Sequence, residues 1–291
     1  MKKFVKLTLC LICIVVVSSC SIFNYKDKEI GKMNLVELNQ YNKELVNENE
    51  YLKDEYDDLL DISGGKAKEE IIEMINYLNN EVIKSNVMIT NESKNYFHTT
   101  SVSSGSGTII KEDDSYYYVL TNNHVIYSLG NRTSYYIYDY LNNEYSAVLL
   151  FHDANYDMAL LRFNKGNKSL KVMEFANKDS SIKDNIITIG QPLGQRNAIT
   201  FGEVLRYDVV NCDNCGIDES NIKYECMHYN AKTTNGNSGG MIIDYNYKLV
   251  GVVTFGMTDN RGEYVYGAGS PVSKVKEFLT NNGFEVGESN E

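Results

Sequence analysis

The chain has 291 residues, 43% of them hydrophobic, which is enough for one large domain or two small ones with a sizeable core. Acidic residues number 39 against 28 basic ones, for a formal net charge of -11. An acidic surface of this kind repels phosphates, and no basic run with interleaved aromatics offsets it, so a nucleic-acid partner is excluded.

In chain order the first feature is an address. Lys2, Lys3 and Lys6 form a positive start, and residues 7–17 are almost wholly apolar. That run is too short to cross a hydrocarbon layer of about 30 Å, but it suits the apolar region of a signal peptide. It ends in Val17-Ser18-Ser19-Cys20, which resembles the bacterial lipobox. The resemblance implies residues 1–19 as a cleaved signal and Cys20 as a lipidated N-terminus, anchoring the protein on the extracytoplasmic face of the cell membrane. A plain secretory signal cut nearby is the alternative.

Residues 20–65 read as a helical stalk. Between residues 33 and 62 there is no Gly or Pro, and Leu38, Leu45, Leu52 and Leu59 recur every seven residues. With these at d, the a positions hold Leu35, Asn42, Asn49 and Tyr56. An apolar heptad favours a coiled coil, and Asn at a favours a parallel dimer in register at some cost in stability. A homodimer through this stalk and a single solvated helix both fit. Ser63-Gly64-Gly65 interrupts the pattern, and Ile71, Ile72, Ile75, Leu78 and Val82 then mark a linker helix over residues 66–84.

From residue 85 to the end the pattern changes to short strands separated by Asn, Gly and Asp turns. Strands are expected at 86–90, 107–110, 116–120, 134–140, 145–151, 158–163, 185–189, 241–244 and 249–255, with a helix at 272–279. Many short strands at this spacing predict an all-β sandwich or barrel.

Three segments carry the chemistry: Thr121-Asn122-Asn123-His124-Val125, Asn155-Tyr156-Asp157-Met158-Ala159, and Gly236-Asn237-Ser238-Gly239-Gly240. Their chain order is His, Asp, Ser, unlike that of subtilisins or α/β-hydrolases. A serine hydroxyl is a poor nucleophile until an imidazole takes its proton, and a buried carboxylate fixes the imidazole tautomer. His98, His152 and His228 compete with His124, but none follows a strand into a small polar turn. Asp153 competes with Asp157, but only Asp157 directly precedes an apolar strand.

These segments resemble those of the trypsin-like peptidases, and within them the HtrA/Deg branch. Further matches are Gly105-Ser106-Gly107, Gly190-Gln191-Pro192-Leu193-Gly194, Thr200-Phe201-Gly202-Glu203-Val204 and Gly267-Ala268-Gly269-Ser270-Pro271. The resemblance covers roughly residues 85–280. It implies two six-stranded β-barrels with the site in the cleft between them, and a serine endopeptidase acting on polypeptides without a cofactor. It gives His124, Asp157 and Ser238 as the triad and the N–H groups of Gly236 and Ser238 as the oxyanion hole. Thr254, Phe255 and Gly256 fall on the strand that pairs with substrate, and Lys232, Thr233 and Thr234 on the S1 wall. The alternative from another class is an inactive peptide-binding scaffold lipoprotein on the same fold.

The chain departs from the family's pattern in places. Asn237 stands where trypsin-type zymogens have Asp, and no IVGG-like sequence occurs between residues 66 and 100, so no proteolytic activation is expected. The residues after Ser270 leave room for a helix but not for a PDZ domain. Lys232 would select acidic P1 side chains if it faced the pocket, but a solvent-facing Lys232 fits equally, and P1 preference stays open. Cys212, Cys215 and Cys226 are an odd number for an exported protein. With His228 they have the ligand types of a Cys₃His zinc site, and one disulfide with a leftover thiol fits as well.

Overall fold

The computed structural model describes residues 65–94, 100–127, 132–192, 196–210, 221–259, 261–262 and 264–286. The signal segment, Cys20, the heptad stretch, His98, Cys212 and Cys215 lie outside the described residues. The chain divides into two units, Met1–Tyr77 and Leu78–Glu291. Helix α1 (Gly65–Asn80) runs through that division and is followed by a 3₁₀ turn, Val82–Ser85. Leu78 and Val82 are fully buried, whereas Ile72 is exposed and drops out of the apolar stripe that the spacing predicts.

Period-two burial builds the first sheet. Along β1 (Asn86–Lys94), from Val87 onward, buried Val87, Ile89, Asn91 and Ser93 alternate with less buried Met88, Thr90, Glu92 and Lys94, as a strand with one face on a core requires. It is joined by β2 (Thr100–Glu112), β3 (Tyr116–Thr121), β4 (Arg132–Tyr138), β5 (Glu144–Asp153) and β6 (Met158–Asn164). The order β1-β2-β3-β6-β5-β4 closes on itself, every pair antiparallel, around Val87, Ile89, Ile109, Tyr117, Val119, Ile137, Leu161 and Phe163. Closure leaves no sheet edge exposed.

A second barrel has the order β10-β11-β12-β9-β8-β7. Its strands are β7 (Asn185–Gly190), β8 (Ala198–Val209), β9 (Glu225–Tyr229), β10 (Met241–Asp244), β11 (Leu249–Thr258) and β12 (Tyr264–Pro271). The nine expected strands all occur, and β8, β9 and β12 are added. Register shifts near Ile109, Leu149, Val204, Ile242 and Val253 bend the strands sharply enough to close such small barrels.

Helix α3 (Val272–Asn281) follows β12 and buries Val272, Val275, Phe278 and Leu279. Phe278 packs on Phe151 of β5 and on Tyr156, with ring centroids 5.4 and 5.8 Å apart, so the last element of the second barrel is seated on the first. Among the described residues no helix is long and apolar enough to cross a membrane.

Candidate active site

Strand β3 ends at Thr121, and the chain turns at once into a short helix, α2 (Asn123–Ile126), which carries His124. Asp157 closes the turn before β6. Its φ of +50° is left-handed, a conformation that costs a non-glycine residue roughly 1 kcal/mol or more and persists only when the surroundings enforce it. One enforcing contact is Asn122, whose side-chain Nδ2 donates to the Asp157 carbonyl oxygen at 2.9 Å.

The Asp157 side chain is fully buried and grips His124 twice. The His124 backbone N–H donates to Oδ1 at 2.9 Å, and ring Nδ1 lies 2.7 Å from Oδ2. A carboxylate only accepts, so in this contact the proton is carried on the ring Nδ1. The imidazole itself keeps 14% of its surface exposed, enough for a substrate to reach it.

The serine turn lies between β9 and β10. Gly236 and Gly239 have φ of +98° and +84°, values only glycine takes readily. A Cβ at Gly239 would lie 2.2 Å from the Ser106 carbonyl oxygen and 2.3 Å from Thr121 Oγ1, so this position also needs a glycine for space. The buried Asn237 packs so close to Gly190 that a Cβ there would lie 2.4 Å from Asn237 Oδ1.

Residues 105 and 106 of β2 fasten the histidine helix and the serine turn to each other. Gly105 is squeezed between Val125 of α2 and the Ser238 carbonyl, and a Cβ there would lie 2.7 Å from the one and 3.1 Å from the other. The Ser106 N–H donates to Ser238 O at 2.8 Å and its hydroxyl donates to Gly236 O at 2.7 Å. That hydroxyl also accepts from Gln191 N at 2.9 Å. In the sequence Ser106 stands only as the middle of the Gly105-Ser106-Gly107 match. Nothing in its neighbours signals that it ties the two barrels at this point.

Among the described residues, neither the Gly236 N–H nor the Ser238 N–H donates a hydrogen bond. The Ser238 hydroxyl donates to Thr254 O at 3.3 Å. Thr254 sits at a register shift of β11, between Val253 opposite Gly269 and Phe255 opposite Ala268, which turns its carbonyl out of the ladder. The pairing of β10 with β11 stops at Val252, so beyond Val253 that edge of β11 has no strand partner among the described residues. Thr254 thus lies against Ser238, and the strand runs on through buried Phe255 to exposed Gly256 with no strand partner on that edge among the described residues.

Thr233 is buried behind the same strand. A Cβ at Gly256 would lie 2.5 Å from its carbonyl oxygen, and one at Gly267 would lie 2.7 Å from its Oγ1. Lys232 is half-buried and its carbonyl accepts from Thr200 Oγ1 at 3.0 Å; Thr234 O accepts from Asn237 N. The rival residues fall elsewhere. Asp153 caps its own turn through Asn155, and His152 pairs with Asn123 Oδ1 at 2.6 Å. His228 stacks on Tyr266. Burial, then the Asp157 charge, pushes the Cys226 thiol up to about 12. Burial, then the Arg206 charge, lowers the imidazole of His228. Both groups are thus held in their neutral forms, and no metal-binding cluster occurs among the described residues.

Two closed antiparallel barrels joined at a serine turn define the chymotrypsin-like fold class. The Trypsin-like peptidase domain family matches residues 105–252, just over half of the chain, and the chain belongs to that family. It is 29% identical over 154 residues to the probable periplasmic serine endoprotease DegP-like of Rickettsia conorii (strain ATCC VR-613 / Malish 7), covering 53% of this chain and 28% of that one. It is 26% identical to the serine protease Do-like HtrA of Bacillus subtilis (strain 168), covering 61% and 38%. Identity to the periplasmic serine endoprotease DegP of Escherichia coli (strain K12) is 29%, covering 63% and 36%. The chain thus spans roughly a third of the length of these curated relatives.

Proposed function

We propose that the chain is a serine endopeptidase of extracytoplasmic proteins, with Ser238 as nucleophile, His124 as general base and Asp157 orienting that base. The observation that carries the reading is the doubly held His124–Asp157 pair, joined to the Ser238 turn through Gly105 and Ser106.

The chemistry follows from the atoms. The Ser238 hydroxyl swings from Thr254 O to His124 Nε2, and Oγ attacks the scissile carbonyl carbon as its proton passes to Nε2. The Asp157 carboxylate stabilises the imidazolium so formed. The carbonyl oxygen, now an anion, is received by the N–H groups of Gly236 and Ser238. One such donor is typically worth about 10²–10³ in rate. Nε2 then gives its proton to the leaving nitrogen as the C–N bond breaks, and a water repeats the sequence on the acyl-enzyme. The open edge at Thr254, Phe255 and Gly256 suits an extended peptide that adds as a strand, which favours polypeptides over small esters. Thr233 and Thr234 line the S1 wall in this reading, with Lys232 beside them. No cofactor takes part.

The N-terminal sequence supports a lipid on Cys20 and an anchor on the extracytoplasmic face of the membrane, with the heptads of the stalk pairing two copies. Domain bounds in this reading are residues 1–19, 20–65, 66–84 and 85–291. Loss of membrane association in Cys20→Ser tests the anchor.

The activity is tested by incubating the full chain and its Ser238→Ala variant with casein and mapping the cut sites by mass spectrometry. Cleavage by the parent alone supports the reading. A folded parent that binds casein without cutting it supports the inactive peptide-binding scaffold instead.

A further inference from the structure

The left-handed Asp157 is the most strained non-glycine position in the site, and Asn122 holds only its carbonyl. Besides the Asp153 cap on Asn155, residues 154–156 of its turn are each bonded to a segment of the other barrel. Just before β9, the Asn221 N–H donates to Ala154 O at 2.8 Å. The Asn221 side-chain Nδ2 donates to Asn155 Oδ1, also at 2.8 Å. The Tyr224 hydroxyl donates to Tyr156 O at 2.9 Å. Three successive residues of the Asp157 turn are therefore fastened by two residues separated from them by 66–68 positions in the chain.

The Tyr224 hydroxyl is itself oriented from below. Its proton is committed to Tyr156 O, so the Ser270 hydroxyl 2.7 Å away must donate to it. Ser270 Oγ in turn lies 3.3 Å from Thr254 Oγ1, and Thr254 is the residue whose carbonyl receives the Ser238 hydroxyl. Ser270 and Thr254 are fully buried. Burial, the largest influence, holds the Tyr224 phenol far above its ordinary titration range, so it stays a donor. A hydroxyl relay thus runs from the substrate-facing strand to the backbone immediately before Asp157.

We infer that Tyr224, assisted by Asn221, is a positioning residue that holds Asp157 against His124 by clamping the 154–157 turn across the two barrels. The inference rests on the reading of His124 and Asp157 given above. A left-handed aspartate relaxes unless its neighbours are fixed, and relaxation moves the carboxylate away from Nδ1. Displacements near 1 Å in a catalytic group cost up to about 10²-fold in rate.

Tyr224→Phe removes the hydroxyl and keeps the ring, which packs 6.0 Å from the Tyr156 ring and beneath Lys274. In the full chain the variant is expected to lower kcat about tenfold with KM within about twofold. The far-downfield proton resonance of the His124 Nδ1–H should shift or broaden, because it reports the bond to Asp157 directly. Wild-type kcat with an unmoved resonance overturns the inference, and so does a loss of kcat with an unmoved resonance. If Tyr224→Phe does not fold, Asn221→Ala at an exposed side chain decides, by the same resonance changing or staying as it is. The resonance tests the clamp even if the parent chain hydrolyses nothing, an outcome that would refute the proposed activity and leave the clamp standing or falling separately.

Discussion

Replacing Ser106 by alanine separates stability from turn geometry. The Ser106 side chain is fully buried, and its hydroxyl serves Gly236 O at 2.7 Å and Gln191 N at 2.9 Å. Alanine leaves the half-buried Gly236 carbonyl and the buried Gln191 N–H without this partner. At about 1–3 kcal/mol for a buried unsatisfied group, and less for the carbonyl that water can reach, the expected loss of stability is about 2–4 kcal/mol. The effect on chemistry has a different origin. The Ser106 hydroxyl holds the carbonyl of Gly236 and so restrains the turn whose Gly236 N–H is the proposed oxyanion donor. The Ser106 N–H still holds Ser238 O, so the Ser238 side of the proposed oxyanion hole keeps that restraint. Acylation should therefore fall by about 10- to 100-fold, short of the full effect of deleting a donor, about 10²–10³. Urea melts give the first quantity, and the second-order rate of labelling by a fluorophosphonate gives the second. A variant that loses stability but is labelled at the parent rate would refute the claim that Ser106 shapes the oxyanion turn.

Other expectations follow from buried groups. Asp139, 1% exposed, accepts from Leu141 N, Asn143 N, Asn143 Nδ2 and Tyr145 Oη at 2.8–2.9 Å, so Asp139→Ala should cost about 2–3 kcal/mol in a urea melt. Burial opposes ionisation of this carboxyl, but its hydrogen bonds outweigh burial and the net direction is downward. His228 is lowered by burial and by Arg206, so the folded state binds its proton later than the unfolded chain does. Its contribution is complete above about pH 6.5 and is lost as pH falls from there through the lowered folded value. The urea midpoint of the parent should then drop more between pH 7.5 and 5.5 than that of His228→Gln, and parallel curves would contradict this. Cys226, with its thiol pushed up to about 12, should resist alkylation at pH 8 until urea is added, as read by mass spectrometry of its peptide.

Where the chain announces its structure, it does so through local pattern. The runs at β1, β3, β6 and β7 alternate or stay apolar between turn residues, and they are visible without tertiary information. β8 is half-buried along most of its length and lacks alternation, so its strand state depends on β7 and β9 beside it. β12 holds Gly267, Gly269 and Pro271, poor strand formers that the neighbouring strands nonetheless require, since a Cβ at Gly267 would lie 2.3 Å from the Tyr229 ring. The same distinction applies to the site. His124, Asp157 and Ser238 stand in short patterns whose spacing carries meaning. Ser106, Asn221 and Tyr224 act through a few hydrogen bonds to residues far away in the chain, mostly to backbone carbonyls, and no local pattern encodes such contacts.

The nucleophile is the claim on which the rest depends. The most direct measurement treats the folded full chain with a fluorophosphonate and locates the adduct by mass spectrometry, in parallel with Ser238→Ala. The account predicts one phosphonylated residue, Ser238, in the parent and none in the variant. Labelling that persists in Ser238→Ala, or a folded parent that takes up no probe, would contradict it.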